Sequence, residues 1–437
     1  MPPIRTAPSA SDPALARFTQ LFGPEFGHGR PLDCAPTREA LARLGNPQDR
    51  LAPIIHVAGT NAKGSTIAFM RAIAEAAGLR VHAFTKPHLF CLNERFIVAS
   101  ETIRDDALID MAETVAEIGT PLTQFDAQVA AAFVLFSETP ADLVLIEAGM
   151  GGRDDSTNVI SNPAATIITP VGLDHQDALG PRLADIAAHK AGVLKRGVPA
   201  IVARQAQDAR EVIEAAAART GAFLHMQGID WDAYAAFGRL AVETESETLD
   251  LPLPALTGAH QIDNAGLAIA ALVLGDFPIP DEAFAAGVAG ARSPARLQAL
   301  TRGPFSAPIR ALGGEVWVDG GHNAHAARAL AHALGAMNPK RAVTIIAIIG
   351  LRARKDGDAF LRALAPVLDR VIAVPLSQAH IAPDDLAARA TALGVKASAA
   401  PSLGAAMEDA ARSPAPRVLI CGSFLLAADA LLAEGVS

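Results

Sequence analysis

Cysteine is scarce in this chain. The three present, Cys34, Cys91 and Cys421, are widely spaced and odd in number. No disulfide framework and no zinc-type spacing can be built from them, and such usage suits a reducing compartment. Aromatic residues make up only 5% of the 437 residues, with a single tyrosine and two tryptophans. A strongly basic balance is absent too. Lys and Arg total 37 against 46 Asp and Glu, a formal net charge of -9. This excludes nonspecific nucleic-acid binding and a basic membrane-surface protein, but not a locally positive pocket for an anionic substrate. No run approaches the ~20 apolar residues needed to cross a bilayer. The leading MPPIRTAPSASDPALARF has no long apolar core and does not read as a secretory signal. The expectation is a cytoplasmic, monomeric protein with small-molecule substrates.

Apolar residues are plentiful, at 51%. Short β-branched runs alternate with Ala/Leu-rich helical stretches: IIHVAG (54–59), DLVLIEAG (142–149), ATIITPVG (165–172), AVTIIAIIG (342–350), RVIAVPL (370–376) and RVLICGS (417–423). Near-continuous apolar strands between helices predict buried parallel sheets of α/β type. Ligands in such sheets gather at the carboxyl ends of strands. A Pro-, Gly- and Arg-rich break at 292–308 suggests two domains, 1–297 and 298–437. Residues 229–256 are poorly periodic and read as β-hairpins or loops.

Chemistry is concentrated at several strand ends. IIHVAGTNAKGST (54–66) runs from a buried strand through a Gly-containing turn into a helix. The turn Gly59, Thr60, Asn61, Ala62, Lys63, Gly64, Ser65, Thr66 can offer backbone N–H groups and a helix N-terminus to phosphate. Lys63 can neutralise phosphate oxygens and Ser65 can reach a metal ion. A tight turn with a solvated lysine would share this pattern. DLVLIEAGMGGRDDSTNV delivers one carboxylate, Glu147, at a strand end, followed by Arg153 and Asp155. A carboxylate beside a phosphate loop commonly holds Mg²⁺. Asp174 and His175 follow the next strand, and Lys190 lies in IAAHKAGVLKRG. A lone histidine is more often structural than a ligand, and Lys190 could be an ordinary surface lysine.

Taken in order, these segments resemble the dihydrofolate synthase/folylpolyglutamate synthase family. The first loop is similar to its shorter phosphate loop, G-T-N-G-K-G-S, with Ala62 in place of Gly. If that position needs positive φ, Ala costs on the order of 1 kcal/mol. The second loop is similar to E-V-G-L-G-G-R-L-D-A-T-N, with Asp154 for Leu and Ser156 for Ala. AFTKPHLFCLNERFIV (83–98) resembles T-S-P-H-L…N-E-R-I, with Lys86 where the family has a metal-holding Ser. GAHQIDNAGLAIAAL, SPARLQ, EVWVDGGHNAHAARAL, IIGLRARKDGDAF and LICGSFLLAAD resemble later signatures of the same family.

The resemblance implies a P-loop parallel-sheet ATP-binding domain plus a smaller Rossmann-like α/β C-terminal domain, the Mur ligase type. It implies ATP and two Mg²⁺ ions, with Ser65 and Glu147 on the first metal, and His175 and a carbamylated Lys190 on the second. Asn264 would contact nucleotide, Arg296 the phosphates, and Asp319 and His322 nucleotide or the incoming amine. Phe125, Arg153 and Asp155 would meet dihydropteroate or a folate, although Phe125 could equally be a core aromatic. The implied reaction joins L-glutamate to that acid through an acyl phosphate. A divergent ligase for another carboxylate, or a weak nucleotide-binding paralogue, remains open. Lys86 either points at the phosphates and partly replaces the metal, or leaves the metal to Ser65 and Glu147.

Overall fold

The apolar runs become strands, and their order places the site. The computed structural model describes residues 12–25, 32–340 and 342–436. The leading stretch 1–11, read above for a targeting signal, lies outside the described residues. Seventeen strands follow in chain order: β1 (Ile54–Ala58), β2 (Val81–Phe84), β3 (Phe96–Val98), β4 (Glu101–Thr102), β5 (Leu143–Glu147), β6 (Ala165–Ile168), β7 (Pro199–Val202), β8 (Phe223–Met226), β9 (Trp231–Ala236), β10 (Arg239–Thr244), β11 (Thr248–Pro252), β12 (Gln298–Leu300), β13 (Glu315–Val318), β14 (Ile345–Ile349), β15 (Arg370–Ala373), β16 (Lys396–Ala399) and β17 (Arg417–Cys421).

Two compact units contain them. Among the described residues one comprises 12–255 with 261–292, the other 256–260 with 293–436. The division thus falls at Arg292/Ser293 rather than at 297/298. Its local cause is Asp319, which accepts a hydrogen bond from Leu297 N–H at 2.7 Å and ties 297 to the second unit.

In the first unit an eight-stranded sheet has the order β4-β3-β2-β5-β1-β6-β7-β8. From β2 to β8 its pairs are parallel, while β3 and β4 add antiparallel edges. Every residue of β1 and β5 is buried, as expected of strands covered on both faces. The register decides the site: Val57 pairs with Glu147, and Ala58 with Ile168. Gly59, Glu147 and Thr169 therefore emerge together at the carboxyl edge. One face packs on a core that includes Phe84, Phe96, Phe133 and Ile146. Truncating buried Phe133 to Ala should cost about 3–5 kcal/mol. The poorly periodic stretch forms a separate antiparallel sheet, β11-β10-β9.

The second unit holds a six-stranded sheet, β12-β13-β17-β14-β15-β16. Only the edge pair β12/β13 is antiparallel. Val318 pairs with Ile420, so the ends of β13 and β17 lie side by side. No described helix is long and apolar enough to cross a membrane.

Candidate active site

At the end of β1 the backbone turns through Gly59, at φ 149°. A Cβ there would lie 1.7 Å from Thr169 Oγ1, so only glycine fits. Thr169 Oγ1 donates to the Asn61 carbonyl over 2.5 Å. Thr60 Oγ1 donates to the Gly172 carbonyl and accepts from Gly172 N–H, both at 3.0 Å. The loop is thus laced to the segment after β6. Ala62 has φ 70° and caps the helix Lys63–Ala76 without a side-chain hydrogen bond. The residue that departs from the glycine pattern does occupy the left-handed region.

Two ammonium groups converge on one carbonyl. Lys63 Nζ donates to Gly59 O at 3.1 Å, and Lys190 Nζ donates to the same oxygen at 2.8 Å. Lys63 also lies 3.7 Å from Glu147 Oε1. Burial first, and then the charge on Lys63, lowers the Lys190 pKa to about 7. A cleft at this point is lined by Gly59, Thr60, Lys63, Gly149, Met150, Gly151, Asp174, His175 and Lys190. The structure therefore brings Lys63, Glu147, His175 and Lys190 together. Ser65 is buried in the first turn of the helix. Thr66 Oγ1 is buried with no hydrogen-bond partner among the described residues.

The loop after β5 is stapled by Asp155. Its Oδ2 accepts from Met150 N–H at 2.6 Å, and its Oδ1 accepts from the Thr157 N–H at 3.0 Å and hydroxyl at 2.6 Å. Both oxygens of Asp155 are thus occupied within the loop, where a substrate contact had been expected. Thr157 is in turn bonded to the buried His56 Nε2 at 2.8 Å. Arg153 is half exposed and donates to Asp154 at 2.9 Å. His189 Nδ1 lies 3.5 Å from the same carboxylate. Asp154 and His189 therefore form one polar cluster with Arg153.

Lys86 corrects the expectation that it points at the phosphates. Its backbone N–H donates to Glu147 Oε2 at 3.1 Å. Its side chain instead runs to Phe125, with Nζ 4.5 Å from the ring centroid, and to Glu25 Oε1 at 3.9 Å. Phe125 is half-buried, and a side chain at Gly149 would collide with it. The ammonium covers part of the ring on which an acceptor had been expected to stack.

In the second unit Asp319 Oδ2 and Oδ1 accept from Leu297 and Gly321 N–H groups at 2.7 and 2.6 Å. Asp319 thus shapes the turn that presents His322. His322 Nδ1 donates to Gly320 O at 2.9 Å. Arg296 stacks over Phe424 at 4.8 Å, and its buried Nε has no hydrogen-bond partner among the described residues. Asn323 caps the helix Ala324–Met337 through Ala326 N–H. Asn264, on the helix His260–Leu274, is buried and donates to Gln261 Oε1 at 2.9 Å.

Sequence reasoning missed Thr169, His56 and Glu25. A hydroxyl at the end of β6 could have suggested the first. No signal marks Glu25, which belongs to no motif.

Residues 57–272 match the Mur ligase middle domain, and residues 308–424 match the Mur ligase glutamate ligase domain. The dihydrofolate synthase/folylpolyglutamate synthase of Escherichia coli is 32% identical over 428 residues, 96% of this chain and 95% of that protein. Its Bacillus subtilis counterpart is 35% identical over 332 residues, 72% and 73% of the two chains. Among solved structures, E. coli FolC in complex with DHPP and ADP superposes with a TM-score of 0.85 at 28% identity, covering 99% of this chain and 98% of that one. A bifunctional folylpolyglutamate synthase/dihydrofolate synthase with Mn, AMPPNP and L-glutamate bound gives 0.84 at 28%, covering 98% of this chain and 99% of that one.

Proposed function

Because the chain belongs to the dihydrofolate synthase/folylpolyglutamate synthase family of Mur-type ligases, we propose that it joins L-glutamate to dihydropteroate, to a folate, or to both, with ATP as the driving substrate. The observation that carries this reading is the convergence of Lys63 and Lys190 on Gly59 O beside Glu147 at a parallel-sheet edge. The partly buried ammonium of Lys63 and a row of loop N–H groups suit a polyphosphate. Unpartnered Thr66 Oγ1 and Arg296 Nε are further polar groups with capacity for oxygen ligands.

A carboxylate is a poor acylating agent until one oxygen becomes a leaving group. Transfer of the γ-phosphoryl to the acceptor carboxylate forms an O–P bond, breaks the bond to ADP and gives an acyl phosphate. The glutamate amine then attacks the carbonyl carbon. A C–N bond forms, the C–O bond to phosphate breaks, and the amine proton leaves to a base. The protein's share is positioning and charge neutralisation. Lys63 and the loop 59–66 orient the phosphates, and Asn264 meets the nucleotide. Arg296 takes an oxyanion. Asp319 holds the turn that sets His322 for the incoming amine. Phe125 and Arg153 face the acceptor, and Asp155 fixes the loop between them.

Ser65 and Glu147 would hold a first Mg²⁺, and His175 with a carbamylated Lys190 a second, and these ions would supply neutralisation of phosphate charge. Among the described residues no three His, Cys, Asp or Glu side chains converge as a metal cluster. Lys190 fits carbamylation. With a pKa lowered to about 7, much of its amine is neutral near neutral pH and can attack CO₂, forming an N–C bond and losing a proton. The enzyme acts as a cytoplasmic monomer in this reading.

The test is phosphate release from ATP and Mg²⁺ with dihydropteroate, with and without L-glutamate. Glutamate-dependent release supports the reading. Release only with another acid would keep ligase chemistry and overturn the acceptor. No release with any acid would remove the enzyme.

A further inference from the structure

Two cations, Arg95 and Lys86, face the one carboxylate of Glu25. Glu25 is gripped by Arg95, whose two terminal nitrogens donate to its two oxygens at 2.8 and 2.9 Å. Arg95 also donates to Gln128 Oε1 at 2.8 Å and to His88 Nδ1 at 3.0 Å. His88 adds no charge at neutral pH, because burial, and then Arg95, lowers its pKa to about 3. Glu25 and Arg95 therefore neutralise one another in the forked geometry that makes such pairs strong. Lys86 is left over. At 3.9 Å from Glu25 it is beyond hydrogen-bond distance. No described group accepts a hydrogen bond from its Nζ, although its side chain is only 17% exposed. The neighbouring acids are engaged elsewhere: Glu147 with Lys63 and the Lys86 backbone, Asp155 with Met150 and Thr157.

A largely desolvated ammonium with three unused donors is costly unless an anion completes it. Its seat over Phe125 keeps water from one side and strengthens its attraction for an anion. Its own backbone N–H is bonded to Glu147, the strand-end acid beside Lys63. An anion meeting Lys86 therefore lies in the neighbourhood where a phosphoryl group is to be received.

We propose that Lys86 is a specificity-determining residue, the counter-ion for the acceptor carboxylate that is to be activated. The inference rests on the reading above, that the acceptor is a carboxylic acid bound near Phe125. Its consequence is discrimination by charge: the acid should bind well and its carboxamide poorly. A lysine present only to balance Glu25 would give no such discrimination, because Arg95 already balances it.

The experiment titrates pteroate and its carboxamide into the full chain, with a non-hydrolysable ATP analogue and Mg²⁺ present. Wild type should favour the acid at least tenfold, less so at high salt. Lys86→Met should bind the two within twofold of each other, and Lys86→Arg should keep part of the preference. In turnover, Lys86→Met should raise the acceptor KM tenfold or more and leave the ATP KM unchanged. Matching thermal unfolding of the Arg and Met variants establishes that both are folded. Undiminished acid preference in Lys86→Met, or none in wild type, overturns the inference while wild-type turnover keeps the function standing. Absence of both binding and turnover with dihydropteroate in wild type brings down the function and the inference together.

Discussion

Lys190 Nζ donates to the Gly59 carbonyl over 2.8 Å, joining the end of a helix to the first turn of the phosphate loop. This buried amine makes stability depend on pH. Its pKa falls from 10.5 to about 7 on folding. Below pH 7 both states are protonated and the native state bears the full cost of a buried charge. Between about 7 and 10.5 the unfolded chain holds the proton that the native chain has lost, so stability rises with pH. The limit is about 1.4 kcal/mol per pH unit. Denaturant unfolding of CO₂-free, nucleotide-free protein should show this rise, and Lys190→Met should flatten it. An equally steep rise in the variant would assign the slope to other groups.

Ala62 sits at φ 70° with no compensating cap hydrogen bond. Replacing it with glycine relieves the left-handed strain and should stabilise the first unit by about 1 kcal/mol, despite the greater freedom of the unfolded glycine. Thermal unfolding reads the gain. A lower midpoint for Ala62→Gly would mean that the alanine methyl contributes packing that outweighs the strain.

These two sites show what can be read from residues alone. The strands are legible because a strand buried on both faces must be almost wholly apolar, as in β1, β5 and β14. Their carboxyl ends then locate Lys63, Glu147 and His175 without any contact being known. The direction of Lys86 is not legible. It depends on Phe125, more than thirty residues away, and on Glu25, which carries no motif. Asp155 and Asp319 are ambiguous for a different reason. An acid after a strand looks the same whether it holds a ligand or staples N–H groups, and here both hold N–H groups. The sheet β9–β11 escapes a firm reading because its alternation is interrupted by Tyr234 and Phe237, both exposed.

Gly59 has a sharper requirement than Ala62. In Gly59→Ala the new Cβ would meet Thr169 Oγ1 at 1.7 Å. The clash displaces the hydroxyl that holds the Asn61 carbonyl, so the loop loses a tie as well as room. Nucleotide affinity should fall at least tenfold, which is about 1.4 kcal/mol or more. Adding Thr169→Ala removes the 1.7 Å contact but leaves the residue-169 Cβ at 2.9 Å, the strain at φ 149° and the lost tie. The double variant should therefore recover only in part. Fluorescence titration with a nucleotide analogue measures both, and unchanged affinity in Gly59→Ala would contradict the geometry.

Glu25 tests the charge cluster from its acidic side. Burial alone would raise its pKa, but Arg95 and then Lys86 pull it down to about 2. The carboxylate therefore contributes stability that is complete above its ordinary value of 4.5 and is lost as the pH falls towards 2. Glu25→Gln leaves Arg95 and Lys86 without an opposing charge. Breaking a buried pair in this way typically costs about 3–5 kcal/mol. Removing the second cation as well, in Glu25→Gln with Lys86→Met, should restore part of that loss. The two changes should then combine less than additively, by roughly 1 kcal/mol or more. Denaturant unfolding of wild type, both single variants and the double variant closes the cycle. Strict additivity would mean that Lys86 does not feel Glu25, and that its position over Phe125 is set by packing alone.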